Sequence, residues 1–220
     1  MENKYRFFKR DVSWLSFNYR VLLEAEDKNL PLYERIGFIS IYTSNLEEFY
    51  KVRVADQMAV VMGLVRDEAS NPKEAAETLA EINKEVKRQE LERMRIYKNL
   101  IIPEMRNRKI IFYQSPREVE PSHIPFISNF FREEIFPFLQ PVPVKKEKFH
   151  TFIRDNRLYM AIRLKPKNLS NAPFEYFYFK LPYSKVPRFI ELPKVNDYYY
   201  LMFIEDIIKM NVSFLFPGYE

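Results

Sequence analysis

Apolar residues first return at helical spacing along Trp14, Phe17, Val21, Leu22 and Ala25. This spacing predicts a helix from about Ser13, whose hydroxyl can cap free backbone amides, to about Ala25. Pro31 suits the first position of a second helix, because its missing N–H would have no partner there anyway. Leu32, Ile36, Ile39, Leu46, Phe49 and Val52 mark its apolar face, and the pattern extends towards Val65. Asn71-Pro72-Lys73-Glu74 then reads as a helix start, with an asparagine cap and proline at the first helical position. That third helix reaches Arg108, with Pro103 expected to kink or end it early. Its acids fall early (Glu74, Glu77, Glu81, Glu85) and its bases late (Arg93, Arg95, Lys98, Arg106, Arg108). The gradient complements the helix dipole, so the basic end requires no ligand.

After Lys109 the pattern changes. Ile110 to Tyr113 reads as a strand, Gln114 to Pro121 as a loop, and Phe126 to Leu139 as a helix. Strand signals follow at Leu158 to Leu164, Phe174 to Leu181, Arg188 to Leu192 and Tyr198 to Phe203, and helix returns from Glu205 to Phe216. The expected fold class is α+β, an amino-terminal all-α helical bundle (residues 1–108) followed by a partial α+β domain (residues 109–220). Tyr176, Tyr178, Tyr198, Tyr199 and Tyr200 give the strand-rich segment an interface-like composition, and self-association is the expectation drawn from it.

Composition narrows the chemistry. In 220 residues, 47% of them hydrophobic, there is enough apolar material for two modest cores. No run approaches the roughly 18 apolar residues of a membrane span, and the first residues lack a signal-peptide core. A cytoplasmic location is the expectation, with peripheral membrane association left open. The absence of cysteine closes thiolate chemistry and zinc fingers. A net charge of +5 invites a polyanion, but 30 acids are interleaved with 35 bases, which reads as a solvated surface, and no nucleic acid is expected. Three glycines, Gly37, Gly63 and Gly218, cannot build a phosphate-cradling loop or a dinucleotide fingerprint. His123 and His150 lie outside any metal-ligand spacing and read as exposed structural residues, so neither a catalytic residue nor a metal ligand is assigned. Adjacent Glu47 and Glu48 do not face each other and make a poor acid/base pair, and Trp14 reads as core. Asn45 stands inside a helical pattern that its side chain does not favour, and three readings stay open: an interhelical hydrogen bond, plain exposure, or a planar amide offered to a ligand such as a purine edge, with either of the first two favoured on the residues alone.

The two aromatic-rich runs Asp11 to Ala25 and Pro31 to Ala55, the latter holding Ser44-Asn45-Leu46-Glu47-Glu48-Phe49, resemble the amino-terminal domain of the long polyphosphate kinases. Phe130 to Val142 and Phe203 to Glu220, ending L-F-P-G-Y-E, resemble segments of that family's head domain. Lys145 to Thr151 depart from the family pattern. The resemblance implies an enzyme that reversibly moves the terminal phosphate of ATP onto polyphosphate with magnesium, as a homodimer or higher homo-oligomer. It also implies that Asn45, matching the asparagine of the family's S-x-N-L-D/E-E-F motif, contributes to the ATP site. Family members are about three times longer, and their phosphorylated histidine and magnesium ligands lie in later domains. The expectation is an inactive amino-terminal piece, engineered or naturally truncated, with a freestanding scaffold or polyanion-binding module as the alternative.

Overall fold

The computed structural model describes residues 9–65, 71–144, 153–154, 157–167 and 172–219. The chain forms two compact units, Met1–Asn107 and Arg108–Glu220. His150 and the divergent segment 145–151 lie outside the described residues.

The first unit is helical. Helix α1 spans Arg10–Leu23 and passes into a 3-10 turn, Glu24–Glu26; α2 spans Leu32–Phe49. A wide π turn, Tyr50–Val54, joins α2 to α3, Ala55–Val61. Helix α4 covers Pro72–Ile96, and a second π turn, Tyr97–Ile101, leads into α5, Ile102–Asn107. Helix α1 packs on α2 and α4, and α3 packs on α4.

Helix α1 begins three residues before the position expected from Ser13, which caps nothing; Lys9 is the capping residue. Its buried stripe is Asp11, Leu15, Asn18 and Leu22, continued by Ala25, and Phe17 is half exposed. Pro31 is the cap of α2 rather than its first helical residue. The α2–α3 run stops at Val61 because Gly63 takes a left-handed φ of 68°. Gly63 N–H then donates to Val60 O and Leu64 N–H to Ala59 O, which satisfies the terminal carbonyls. Asn71 caps α4 as its motif predicts, accepting from the N–H groups of Lys73 and Glu74 at 3.1 and 3.3 Å. Pro103 does not end the last helix. The backbone widens into the π turn just before it, which relieves the clash between the proline ring and the preceding turn.

The second unit opens with β1, Ile110–Phe112, and α6, Ile124–Phe130, which runs through a π turn at Phe131–Ile135 into a 3-10 turn at Phe136–Phe138. The strands β2 (Val142–Pro143), β3 (Tyr159–Leu164), β4 (Glu175–Lys180), β5 (Phe189–Val195) and β6 (Tyr198–Phe203) follow. Helices α7 (Ile204–Met210) and α8 (Val212–Leu215) close the unit. One sheet has the order β1-β6-β5, with β1 parallel to β6; the other is antiparallel in the order β2-β4-β3. Asn196 and Asp197 both have positive φ (50° and 62°), the geometry of a tight hairpin turn that matches strand twist, and they join β5 to β6. Ile127, Phe131 and Ile135 pack on Phe179, Met202, Ile204, Ile207 and Ile208 to make the core of this unit. Among the five tyrosines read as an outward patch, Tyr178 and Tyr200 are buried, while Tyr176 and Tyr199 stay exposed. Alternation along β6 explains the split between Tyr199 and Tyr200, whereas Tyr176 and Tyr178 share a face of β4 and only Tyr178 is covered.

Candidate functional site

A cleft of about 370 Å³ opens in the helical unit, built from the first turn of α1, the last turn of α2 and the π turn that follows. Trp14 and Phe49 stack nearly parallel along it, with ring centroids 4.6 Å apart and 7° between their planes. Trp14 packs against the core of Leu15, Phe49 and Ile82, as expected of it, and its uncovered part lines the cleft. Val52 and Arg53 reach the cleft from the π turn, although Val52 is largely exposed. The extra backbone width of such a turn re-aims the side chains it carries.

Asn45 makes the interhelical hydrogen bond that the sequence left open for it, and it also lines this cleft. Asn18, completely buried on α1, donates through Nδ2 to the Tyr42 carbonyl at 3.1 Å. A carbonyl can only accept, which fixes the Asn18 amide with Oδ1 towards α2. Asn45 Nδ2 donates to that oxygen at 3.0 Å. The Asn45 amide is therefore held with its Nδ2 on Asn18, and among the described residues its Oδ1 accepts no hydrogen bond. The result is an oriented acceptor suited to an exocyclic amino group.

Charge in the cleft is balanced. Arg10 and Arg53 are offset by Asp11 and Glu48. Asp11 is buried in the first turn of α1, where the helix dipole favours a carboxylate; it accepts from Gln57 Nε2 at 3.2 Å and lies 3.7 Å from Arg10. Glu47 points elsewhere, into an i, i+4 pair with Lys51 at 2.7 Å. Such a lining suits a neutral, planar group better than a run of phosphates. No group of three or more acidic or histidine side chains suited to a metal ion occurs among the described residues.

The late bases of α4 are already occupied. Arg88 pairs with Glu85, Arg93 with Glu90, and Arg95 with Glu92 and Glu26. The long bundle is tied internally by Gln89, completely buried, which donates to Leu15 O at 3.1 Å and to Glu85 Oε1 at 2.8 Å and accepts from Tyr42 Oη at 3.3 Å.

Burial, and next the negative charge of Glu90, hold the Tyr42 hydroxyl well above the ordinary phenol range. Because the folded value is raised, this contribution is complete below the unfolded value near pH 10 and is lost as pH rises through the folded one. Unfolding free energy is therefore expected to fall above about pH 10 with a slope of up to ~1.4 kcal/mol per pH unit from Tyr42. Tyr42→Phe should remove that share. Denaturant titrations on either side of pH ~10 would give parallel slopes for both proteins if the idea is wrong.

His123 is buried, not exposed. Its side chain lies between Tyr113 Oη, 2.9 Å from Nδ1, and Pro193 O, 2.8 Å from Nε2. Both ring nitrogens are thus engaged, and the residue is remote from solvent chemistry. Arg10, Asp11, Glu48, Arg53 and Asn18 had not been singled out for the site. Asp11 and Asn18 left a readable sign, as polar residues at helical spacing with Leu15 and Leu22.

The family model described as Polyphosphate kinase N-terminal domain matches residues 7–113, and that described as Polyphosphate kinase middle domain matches residues 123–220. A polyphosphate kinase of Vibrio parahaemolyticus serotype O3:K6 is 31% identical over 216 residues, which cover 97% of this chain and 30% of the relative. The polyphosphate kinase of Escherichia coli strain K12 is 30% identical over 188 residues, covering 85% of this chain and 26% of the relative. The crystal structure of polyphosphate kinase from Porphyromonas gingivalis superposes with a TM-score of 0.87 at 42% identity, covering 99% of this chain and 32% of that one. The chain spans about 30% of the length of the curated relatives it matches.

Proposed function

The chain belongs to the polyphosphate kinase family, and from that premise we propose that it is the nucleotide-contacting portion of an enzyme that reversibly transfers the terminal phosphate of ATP to polyphosphate. The observation that carries this reading is the orientation of Asn45, whose Nδ2 is tied to Asn18 beside the Trp14–Phe49 stack and whose Oδ1 is free to accept from a purine amino group. The balanced charges around it support contact with the base rather than with the phosphates. Magnesium would neutralise phosphate charge in such a reaction. The cleft does not fit it: of its two carboxylates, Asp11 is already engaged by Gln57 and Arg10.

In this proposal the 220 residues alone transfer no phosphate. His123 has both ring nitrogens engaged in the core, and phosphoryl transfer requires an accessible nucleophile with cationic clamps around the moving group. Among the described residues no helix is long and apolar enough to cross a membrane.

Contact at the base end contributes about equally in the ground and transition states, so losing it should raise KM and leave kcat nearly unchanged. Removing one neutral hydrogen bond costs roughly 0.5–1.5 kcal/mol, or about two- to tenfold in affinity. In a polyphosphate kinase containing this chain, Asn45→Ala is therefore expected to raise the KM for ATP by about two- to tenfold. Steady-state kinetics over a range of ATP concentrations test it. An unchanged KM with a fall in kcat would assign Asn45 to positioning instead.

A further inference from the structure

We propose that the second unit holds a separate anion site that takes a phosphoanhydride chain. The site is a cleft of about 580 Å³ on one face of the β2-β4-β3 sheet. Strand register builds its floor. Tyr159 lies directly opposite Lys180, and Ala161 and Val142 lie opposite Tyr178. Opposed residues share a face, and Tyr178 and Lys180 are two apart on β4, so the two tyrosines and the lysine project together. Ala161, being small, leaves room beside Tyr178.

The walls add charge. Lys185 comes from the turn after β4, where the N–H groups of Lys185 and Val186 both donate to Pro182 O, and Arg154 is anchored by its backbone N–H donating to Tyr159 Oη at 3.2 Å. Phe138, exposed on the 3-10 turn, forms an apolar rim.

What marks this cleft is that three cations converge on it with no acidic side chain in its described lining. Arg88, Arg93, Arg95, Lys51, Arg188 and Lys209 each have a carboxylate partner within ion-pair distance. Arg154, Lys180 and Lys185 have none among the described residues, and no described residue lining the cleft is acidic. Three uncompensated cations, with hydroxyl groups from tyrosine and serine that can also donate, give a donor-rich lining for an anion of several charges. The volume lies within the ordinary range of small-ligand sites. Assigning the anion as a phosphoanhydride rests on the proposed function; its charge and shape preference rest on these residues alone. An inorganic polyphosphate chain and the triphosphate of a nucleotide share that chemistry.

The test is calorimetric titration of the 220-residue chain with tripolyphosphate, ATP and AMP. ATP is measured on the Asn45→Ala background, so that failure of the first cleft and failure of this one are read separately. Lys180→Gln combined with Lys185→Gln is expected to weaken tripolyphosphate binding by about tenfold or more. Lys194→Gln, an exposed lysine on β5, should leave it nearly unchanged. ATP binding equal to tripolyphosphate indicates the inorganic chain as the source, and tighter ATP binding indicates a nucleotide whose base rests on the tyrosine and phenylalanine rings. The proposal is overturned if wild type does not bind tripolyphosphate, if the double variant binds like wild type, if Lys194→Gln loses as much, or if AMP binds as tightly as ATP. Circular dichroism of each variant, matching wild type, keeps loss of folding from imitating loss of the site.

Discussion

His123→Ala is expected to destabilise the second unit by about 3–5 kcal/mol. The assignment that satisfies every group puts a proton on Nε2, donated to the Pro193 carbonyl, and leaves Nδ1 to accept from Tyr113 Oη. The tyrosine oxygen in turn accepts from Glu120 N–H at 3.0 Å. One imidazole, on the 3-10 turn Pro121–His123, thus ties the residue after β1 to β5. Its removal leaves the buried Tyr113 hydroxyl without an acceptor, costing about 1–3 kcal/mol, takes the donor from the part-buried Pro193 carbonyl, and opens a void against the Tyr113 and Tyr200 rings. For a unit of this size the midpoint of thermal unfolding should drop on the order of 15–25 °C. His123→Gln, which can still donate and accept, should recover part of the loss. Calorimetry placing His123→Ala within a few degrees of wild type would show that the network contributes little.

His123 also shows where reading the chain without its fold runs out. Its partners, one just after β1 and one on β5, are brought together only by the tertiary structure, and nothing near it in sequence signals burial. By contrast, the Asn71 cap and the four strands from β3 to β6 were legible because each is decided by neighbours within a few residues, whereas the α1 stripe expected through Trp14, Phe17 and Val21 is rotated onto Asp11, Leu15 and Asn18. The end of α3 was also legible in principle, since Gly63 is the residue a left-handed helix terminus requires, yet the apolar pattern continued past it to Val65. The π turns were not legible. They depend on packing constraints that a period of 3.6 residues does not encode, and one of them carries Val52 and Arg53 to the first cleft. Asn45 stood out as a polar residue in an apolar pattern, but its orientation depends on Asn18 on another helix.

That dependence gives the second large effect. Asn18→Ala is expected to cost the helical unit about 2–3 kcal/mol, more than Asn45→Ala, because Asn18 is completely buried and its loss strips partners from both Asn45 and the Tyr42 carbonyl. It should also release the Asn45 amide to rotate. Asn18 does not line the cleft, so if Asn45 contacts the nucleotide, Asn18→Ala should raise the KM for ATP by an amount approaching that of Asn45→Ala. Acting through one hydrogen bond, the two changes should be non-additive: the double variant's KM should resemble that of Asn45→Ala alone. Denaturant unfolding and ATP kinetics on the two single variants and the double variant read both consequences. Additive effects on KM would mean that Asn18 does not orient Asn45, and a stability loss with no change in KM would confine the hydrogen bond to holding α1 against α2.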